Sequence, residues 1–329
     1  MTEDCATIAH AVLLVLSFFF VKEYFTRFKS GRLLFILYFL LDSSDTVYNN
    51  VFVMKLNKEG SGIEYSTYLG GSMTERPHGI KVDTEGNAFV TGGTVSEDFP
   101  VTPGVFGTMN AGGVDTYLVK VNPTGTDWVF STYLNITTDD EGYRIDFDTT
   151  GNIYLAGAYG KSTNYTFISE SISCMGGNLG LFLTKINPNA TQVLYTIETG
   201  GSYHDLPQGL LVTPEGRVSV VGYSLSLDYP TTSGAPCPTV SFNGDGFFTQ
   251  FSPEGQIEMS TYLDTRGSGY FYGIGKDFQG NIYAVGDAYN DNPLVTEGCY
   301  KPNWVDIDVV ILKISPSIVP VELSGFLSE

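Results

Sequence analysis

One heptapeptide recurs four times at near-constant spacing, and nothing else limits the fold of this chain as tightly. It reads Gly86-Asn87-Ala88-Phe89-Val90-Thr91-Gly92 at its first appearance. It returns at 151–157, 216–222 and 280–286, in steps of 65, 65 and 64 residues. A period of that length and regularity marks a repeat array whose units share one continuous core. The usual expectation of about two domains for a chain of 329 residues gives way to it.

Each unit resolves into four short strands. One carries a lysine among apolar residues: Val51 to Asn57, Thr116 to Asn122, Leu181 to Asn187, Phe247 to Ser252 and Val309 to Ser315, with glutamine replacing lysine in the fourth copy. Period-2 alternation of this kind is a strand signal. A Pro- and Gly-bearing turn follows, as in Pro123-Thr124-Gly125 and Pro253-Glu254-Gly255. The next strand is Tyr65 to Leu69, Phe130 to Leu134, Tyr195 to Thr199 or Met259 to Leu263. After a loop come Gly79 to Asp83, Arg144 to Asp148, Gly209 to Thr213 and Gly273 to Asp277, each joined by a tight turn to the heptapeptide. An Asp that caps its own turn, then Gly, then Asn, specifies a hairpin. The glycines at the edges of the heptapeptide are read as turn residues.

Four strands in hairpin order, repeated about an axis, are the blades of a β-propeller. The expected class is therefore all-β, a β-propeller of four-stranded antiparallel blades. Five lysine-type strands against four heptapeptides give about four to five blades, either closed or a fragment of a larger ring. Low charge (16%), 38 glycines, 21 tyrosines and 22 phenylalanines suit short strands and turns. A net charge of −19 argues against a nucleic-acid partner, which needs a basic surface.

Residues 1–45 are set apart as an apolar leader. Ala11 to Val21 and Leu33 to Leu41 are apolar runs separated by Lys22, Arg27, Lys29 and Arg32. Each is shorter than the roughly 20 residues of a spanning helix. Three readings stand: an export signal or membrane anchor, a degenerate strand (Gly31-Arg32-Leu33 is similar to Gly216-Arg217-Val218), or non-native sequence. Membrane contact is expected only through this segment. Residues 46–316 form the repeats, and residues 317–329 a tail or linker.

The repeats resemble the SBBP-type β-propeller repeat. Ser66-Thr67-Tyr68-Leu69-Gly70-Gly71, Gly79 to Asp83, Gly86 to Gly92 and Asp98-Phe99-Pro100 carry the resemblance, and the third unit keeps Asp228-Tyr229-Pro230. The second unit lacks this loop signature, and the fourth has a looser Asp287 to Pro293. The resemblance implies a propeller of the exported or surface bacterial class, secreted or held at the cell surface, without a fixed chemistry. Val319 to Phe326 resembles the linker that leads into sorting domains of type IX secretion cargo, or is a closing edge strand.

Function is expected where equivalent positions differ. Just before the strand read as innermost stand His78, Tyr143, Gln208 and Tyr272. Three residues earlier stand Glu75, Asp140, Asp205 and Gly269. These imply a polar, partly acidic and aromatic mouth: the first set for a glycan or protein ligand, the carboxylates for Ca²⁺, with loop capping as the bland alternative. No other cofactor is expected. His204-Asp205 is a weaker acid–base candidate, and Asp115, Asp245 and Asp308 read as cap residues. Asp287 and Asp291 lack EF-hand spacing. No nucleophile elbow, P-loop, dinucleotide fingerprint or HExxH occurs. Cys5, Cys174, Cys237 and Cys299 form no CxxC pair, and read as buried thiols or one disulfide between neighbouring loops. Sequons begin at Asn135, Asn164 and Asn189. A non-catalytic binding or scaffold module is the expected function, with a channel-mouth hydrolase or lyase and a structural spacer as alternatives.

Overall fold

The computed structural model describes residues 24–27, 33–38, 50–160, 178–240, 244–263, 268–289 and 308–314. Cys5, Cys174, Cys299, Asp291, the Asn164 sequon and the 317–329 tail lie outside them. The chain falls into two compact units. One is Met1–Ile145 with Asn189–Gln192, the other Asp146–Pro188 with Val193–Glu329.

Every regular element among the described residues is a strand, and no helix there is long and apolar enough to cross a membrane. The first sheet contains β1 (Tyr24–Arg27), β2 (Leu33–Tyr38), β3 (Val51–Leu56) and β4 (Ile63–Leu69). The second contains β5 (Glu75–Val82), β6 (Ala88–Thr94), β7 (Asp115–Val121) and β8 (Trp128–Tyr133). Then come β9 (Asp140–Phe147), β10 (Ile153–Gly160), β11 (Leu179–Ile186) and β12 (Val193–Thr199), with the unit boundary falling inside β9. The fourth sheet is β13 (Asp205–Val212), β14 (Val218–Ser224), β15 (Asp245–Phe251) and β16 (Ile257–Leu263). The last is β17 (Ser268–Lys276), β18 (Ile282–Tyr289) and β19 (Asp308–Ile314). Strands follow sequence order in every sheet, and the β5–β8 and β13–β16 pairings are antiparallel throughout. These are the blades of a β-propeller, four of them four-stranded and the last with three strands among the described residues. Residues 33–38, within the leader, pair with β3 from Leu33 opposite Leu56, as Val218 pairs with Phe251.

A blade between two blades is apolar on both faces, because successive side chains point to opposite sides. β14 shows it. Val220 joins a core with Tyr154, Leu181, Leu183, Phe247 and Tyr262. Its neighbour Val221 joins another with Phe248, Phe271, Ile282 and Leu312. Hence every residue of β6 and of β14 is buried. Thr91, a polar residue in this setting, donates its hydroxyl to the Tyr117 carbonyl at 2.8 Å.

The two glycines of the heptapeptide do different work. The first is a turn residue: Gly86 has φ +91° and Gly280 φ +86°. Beside it Asp83 accepts from the Glu85 and Asn87 amides, and Asn87 Nδ2 donates back to it at 2.7 Å. Asp277 repeats this, and its hydrogen bonds, first that from the Asn281 side chain, hold its carboxyl down at about 2.

The second glycine does not serve a turn. A β-carbon on Gly92 would stand 1.8 Å from the Arg76 carbonyl oxygen, on Gly222 1.9 Å from that of Leu206, and on Gly286 2.1 Å from that of Tyr270. At this point the inner strands β5, β13 and β17 carry a β-bulge. Register shifts between Pro77 and Gly79, between Pro207 and Gly209, and between Phe271 and Gly273. The residue that the register skips is His78, Gln208 or Tyr272. We expect Gly92→Ala to lose about 3 kcal/mol in urea unfolding, because the strand carrying the bulge must move. Gly60→Ala, at φ +71° with nothing within 4 Å, should lose only about 1 kcal/mol for its left-handed backbone.

Candidate functional site

In the first unit the bulge residue joins a polar network. His78 Nε2 lies 3.2 Å from Glu141 Oε2, and Arg76 Nη1 donates to Glu141 Oε1 at 3.2 Å. The His78 ring stacks on Tyr143, centroids 4.5 Å apart and planes 10° apart. Arg144 Nη1 donates to the carbonyls of His78 and Tyr143. Burial alone would raise the Glu141 carboxyl, but the charges and hydrogen bonds of His78 and Arg76 outweigh it and hold it below the usual range. Room for the carboxylate comes from Gly93, where a β-carbon would meet Glu141 Oε1 at 2.6 Å.

Two of the residues expected at the mouth, His78 and Tyr143, are thus brought into contact. Both are only 8% exposed, so they form a wall and not an open platform. Gln208 and Tyr272 stand on strands of the second unit, the first half-buried, the second 47% exposed. The sequence reading passed over Arg76 and Glu141. They occupy one repeat position, followed by Leu206 and Tyr270. The same signal that singled out His78, unequal residues at equivalent sites, was available two residues upstream.

The acids three residues before the bulge are fully buried loop clamps. Glu75 Oε1 accepts from Ser96 Oγ at 2.5 Å, Thr94 Oγ1 at 2.9 Å and the Gly71 amide at 3.2 Å. Asp205 divides the equivalent set: Ser224 Oγ binds one oxygen, and Ser226 Oγ and the Gly201 amide bind the other. Asp140 accepts from the Thr116 and Thr137 amides. The loop signature completes the clamp. Asp98 accepts from the Ser72 amide and hydroxyl, while Phe99 packs on Tyr117, Trp128 and Tyr133. Asp228 and Tyr229 repeat both contacts, on Ser202 and on Phe247 and Tyr262. Among the described residues no group of three or more His, Cys, Asp or Glu side chains is placed to hold a metal ion. His204 Nδ1 accepts from the Leu179 amide, a partner separate from those of Asp205. Cys237 lies half-buried against the second unit's core, its amide donating to Thr261 Oγ1.

Asp115 Oδ2 caps its loop through the Ala111 amide at 2.6 Å, and Oδ1 is buried with no hydrogen-bond partner. Burial, then the charge of Asp140, push the Asp115 carboxyl up to about 7. Burial pushes Asp140 up to about 6, against its hydrogen bonds.

A carboxyl raised in the folded state stabilises fully below its unfolded value near 4, and that contribution is lost as pH climbs through the folded value. Thermal unfolding should therefore show stability falling between pH 4 and pH 7, and Asp115→Asn should flatten that slope. Glu141 has the opposite sign: lowered on folding, it contributes above the unfolded value and loses that contribution as pH falls. Glu141→Gln should cost about 2 kcal/mol in urea at pH 7 and progressively less in acid.

Residues 64–100 match the family model described as SBBP, beta-propeller repeat. The match begins in β4 and ends in the loop after β6, so the sequence repeat is offset from the blade. No curated protein sequence matches the chain. Among solved structures, similar folds include a luciferin-regenerating enzyme, at 11% identity and TM-score 0.43, covering 92% of this chain and 74% of that one. A GH43_1 enzyme from Xanthomonas citri complexed with xylotriose is similar at 10% identity and TM-score 0.40, with 87% and 88% covered. YCF48 bound to D1 peptide is similar at 9% and 0.37, with 83% and 61% covered. The order of the strands makes the chain a β-propeller, and its residues 64–100 match the SBBP repeat.

Proposed function

We propose that this propeller is a non-catalytic binding module, secreted or displayed at the cell surface, that takes a carbohydrate or protein ligand at the ends of the blades carrying the bulges. One observation carries the reading: a backbone device that repeats presents a side chain that does not. The glycine at 92, 222 and 286 admits a bulge in the inner strands β5, β13 and β17, and the bulged residue is His78, Gln208 or Tyr272. Bulges re-aim side chains beside functional sites. The secreted location rests on the SBBP resemblance alone.

The hydrolase or lyase alternative draws on one contact, His78 against Glu141. An acid that orients a histidine is a general-base arrangement. Here the same acid is shared with Arg76, and Tyr143 covers the ring, which favours a positioning role.

A glycan array on the intact chain tests both. We expect retention of at least one glycan without turnover, reduced about tenfold by Gln208→Ala or Tyr272→Ala, a loss of about 1.4 kcal/mol. Tyr68→Ala, an exposed outer-strand control, should leave retention unchanged. Cleavage of a bound glycan that disappears in His78→Ala would establish the enzyme instead.

A further inference from the structure

The inner strand of the last sheet carries three aromatic residues in a row, Tyr270, Phe271 and Tyr272. Phe271 is fully buried in the core with Val221, Phe248 and Ile282. Its ring fills the space over Gly246, where a β-carbon would meet it at 2.3 Å. The tyrosines on either side are less buried than Phe271. Tyr270 is half-buried, and Tyr272, the bulge residue, is 47% exposed.

Two further residues complete the arrangement. Tyr223, 8% exposed, meets the Tyr270 ring edge-on at 4.7 Å and 83°. Asp287 stands directly opposite Tyr270 in the β17–β18 register and is half-buried. The side chains of directly opposed residues share one face of a sheet, about 5 Å apart. The whole lies within the second unit, on strands tied by the Gly286 close approach. Tyr223, Tyr270 and Asp287 thus stand together, and the exposed Tyr272 follows two residues along the same strand.

We propose that Tyr270, Tyr272 and Asp287, with Tyr223 as buttress, form a subsite for a neutral oligosaccharide. This rests on the reading of the chain as a binding module and names its ligand class. An aromatic face suits the C–H face of a pyranose, and a carboxylate accepts two of its hydroxyls. The net charge of −19 selects against uronate or sulfated sugars. A quaternary ammonium would want a closed aromatic box. Tyr223 is buried against Tyr270, which makes a ring pair rather than a box.

Isothermal titration of the intact chain with cellohexaose, xylohexaose, mannohexaose, a uronate hexamer and choline tests the subsite. We expect binding of at least one neutral hexaose. Tyr272→Ala should weaken it at least tenfold and Asp287→Asn about fivefold, both with wild-type melting temperature, while Tyr272→Phe should retain most affinity. Neutral-hexaose binding untouched by Tyr272→Ala and Asp287→Asn overturns the subsite but leaves the binding module standing. So does binding of the uronate or choline alone. No binding to any of the five overturns the subsite too, and the glycan array then decides the broader reading on its own.

Discussion

The Arg76 carbonyl occupies the space that a β-carbon on Gly92 would take, and the bulged end of the blade depends on that approach. Glycine there lets the inner strand bulge toward its neighbour. The bulge spaces the strand so that Pro77 pairs with Gly92 and Gly79 with Thr91, leaving His78 outside the ladder. The same approach recurs at Gly222 and Gly286. The requirement is on backbone, so every copy must keep glycine. The bulged side chain satisfies no ladder position and is free to differ. Constancy of one residue and variability of another thus have a single steric cause.

The rigidity of that end comes from buried polar groups. A buried carboxylate is costly unless it is hydrogen-bonded, and Glu75 and Asp205 are, by pairs of hydroxyls and a loop amide. One hydroxyl belongs to the last residue of β6 or β14 and the other to the loop that leaves it, while the amide belongs to the loop entering β5 or β13. Each acid therefore ties two loops of one blade together. Asp98 and Asp228 add a second tie from the rim. Glu75 Oε2 and Asp115 Oδ1 are each buried with no hydrogen-bond partner. That cost falls on unit 1 as pH rises.

The period, the four-strand unit and the Asp-capped turn were legible in the sequence because their causes are local. A positive φ demands Gly86, and Asp83 reaches residues only two and four positions on. The bulge was not legible, since it needs a carbonyl from the partner strand. Nor was the His78–Glu141 contact, whose partners lie 63 residues apart in different repeats. Non-repetition located His78, Tyr143, Gln208 and Tyr272. It could not say that two of them would stack on each other while a third stood exposed. The signature Asp98-Phe99-Pro100 was recognisable, but its work, a loop cap followed by a core plug, is a matter of contacts.

Specialisation here proceeds by exchanging pairs across the seam between consecutive sheets. The position after the second glycine holds Gly93, Ala158, Tyr223 and Asp287, and the position two before the bulge holds Arg76, Glu141, Leu206 and Tyr270. Where a carboxylate enters from the following sheet, as Glu141 does, the residue it lies on is glycine. Where an aromatic ring enters, as Tyr270 does, the residue it meets is another aromatic, Tyr223. A seam of fixed backbone spacing has a fixed volume, and close-packed interiors do not tolerate a change on one side alone. Each exchange must then be made jointly, by residues about one repeat apart in sequence. A single substitution at either position disrupts packing before it can create a site. The buried ion network of one unit and the Tyr223–Tyr270 ring contact of the other are two fillings of the same seam position.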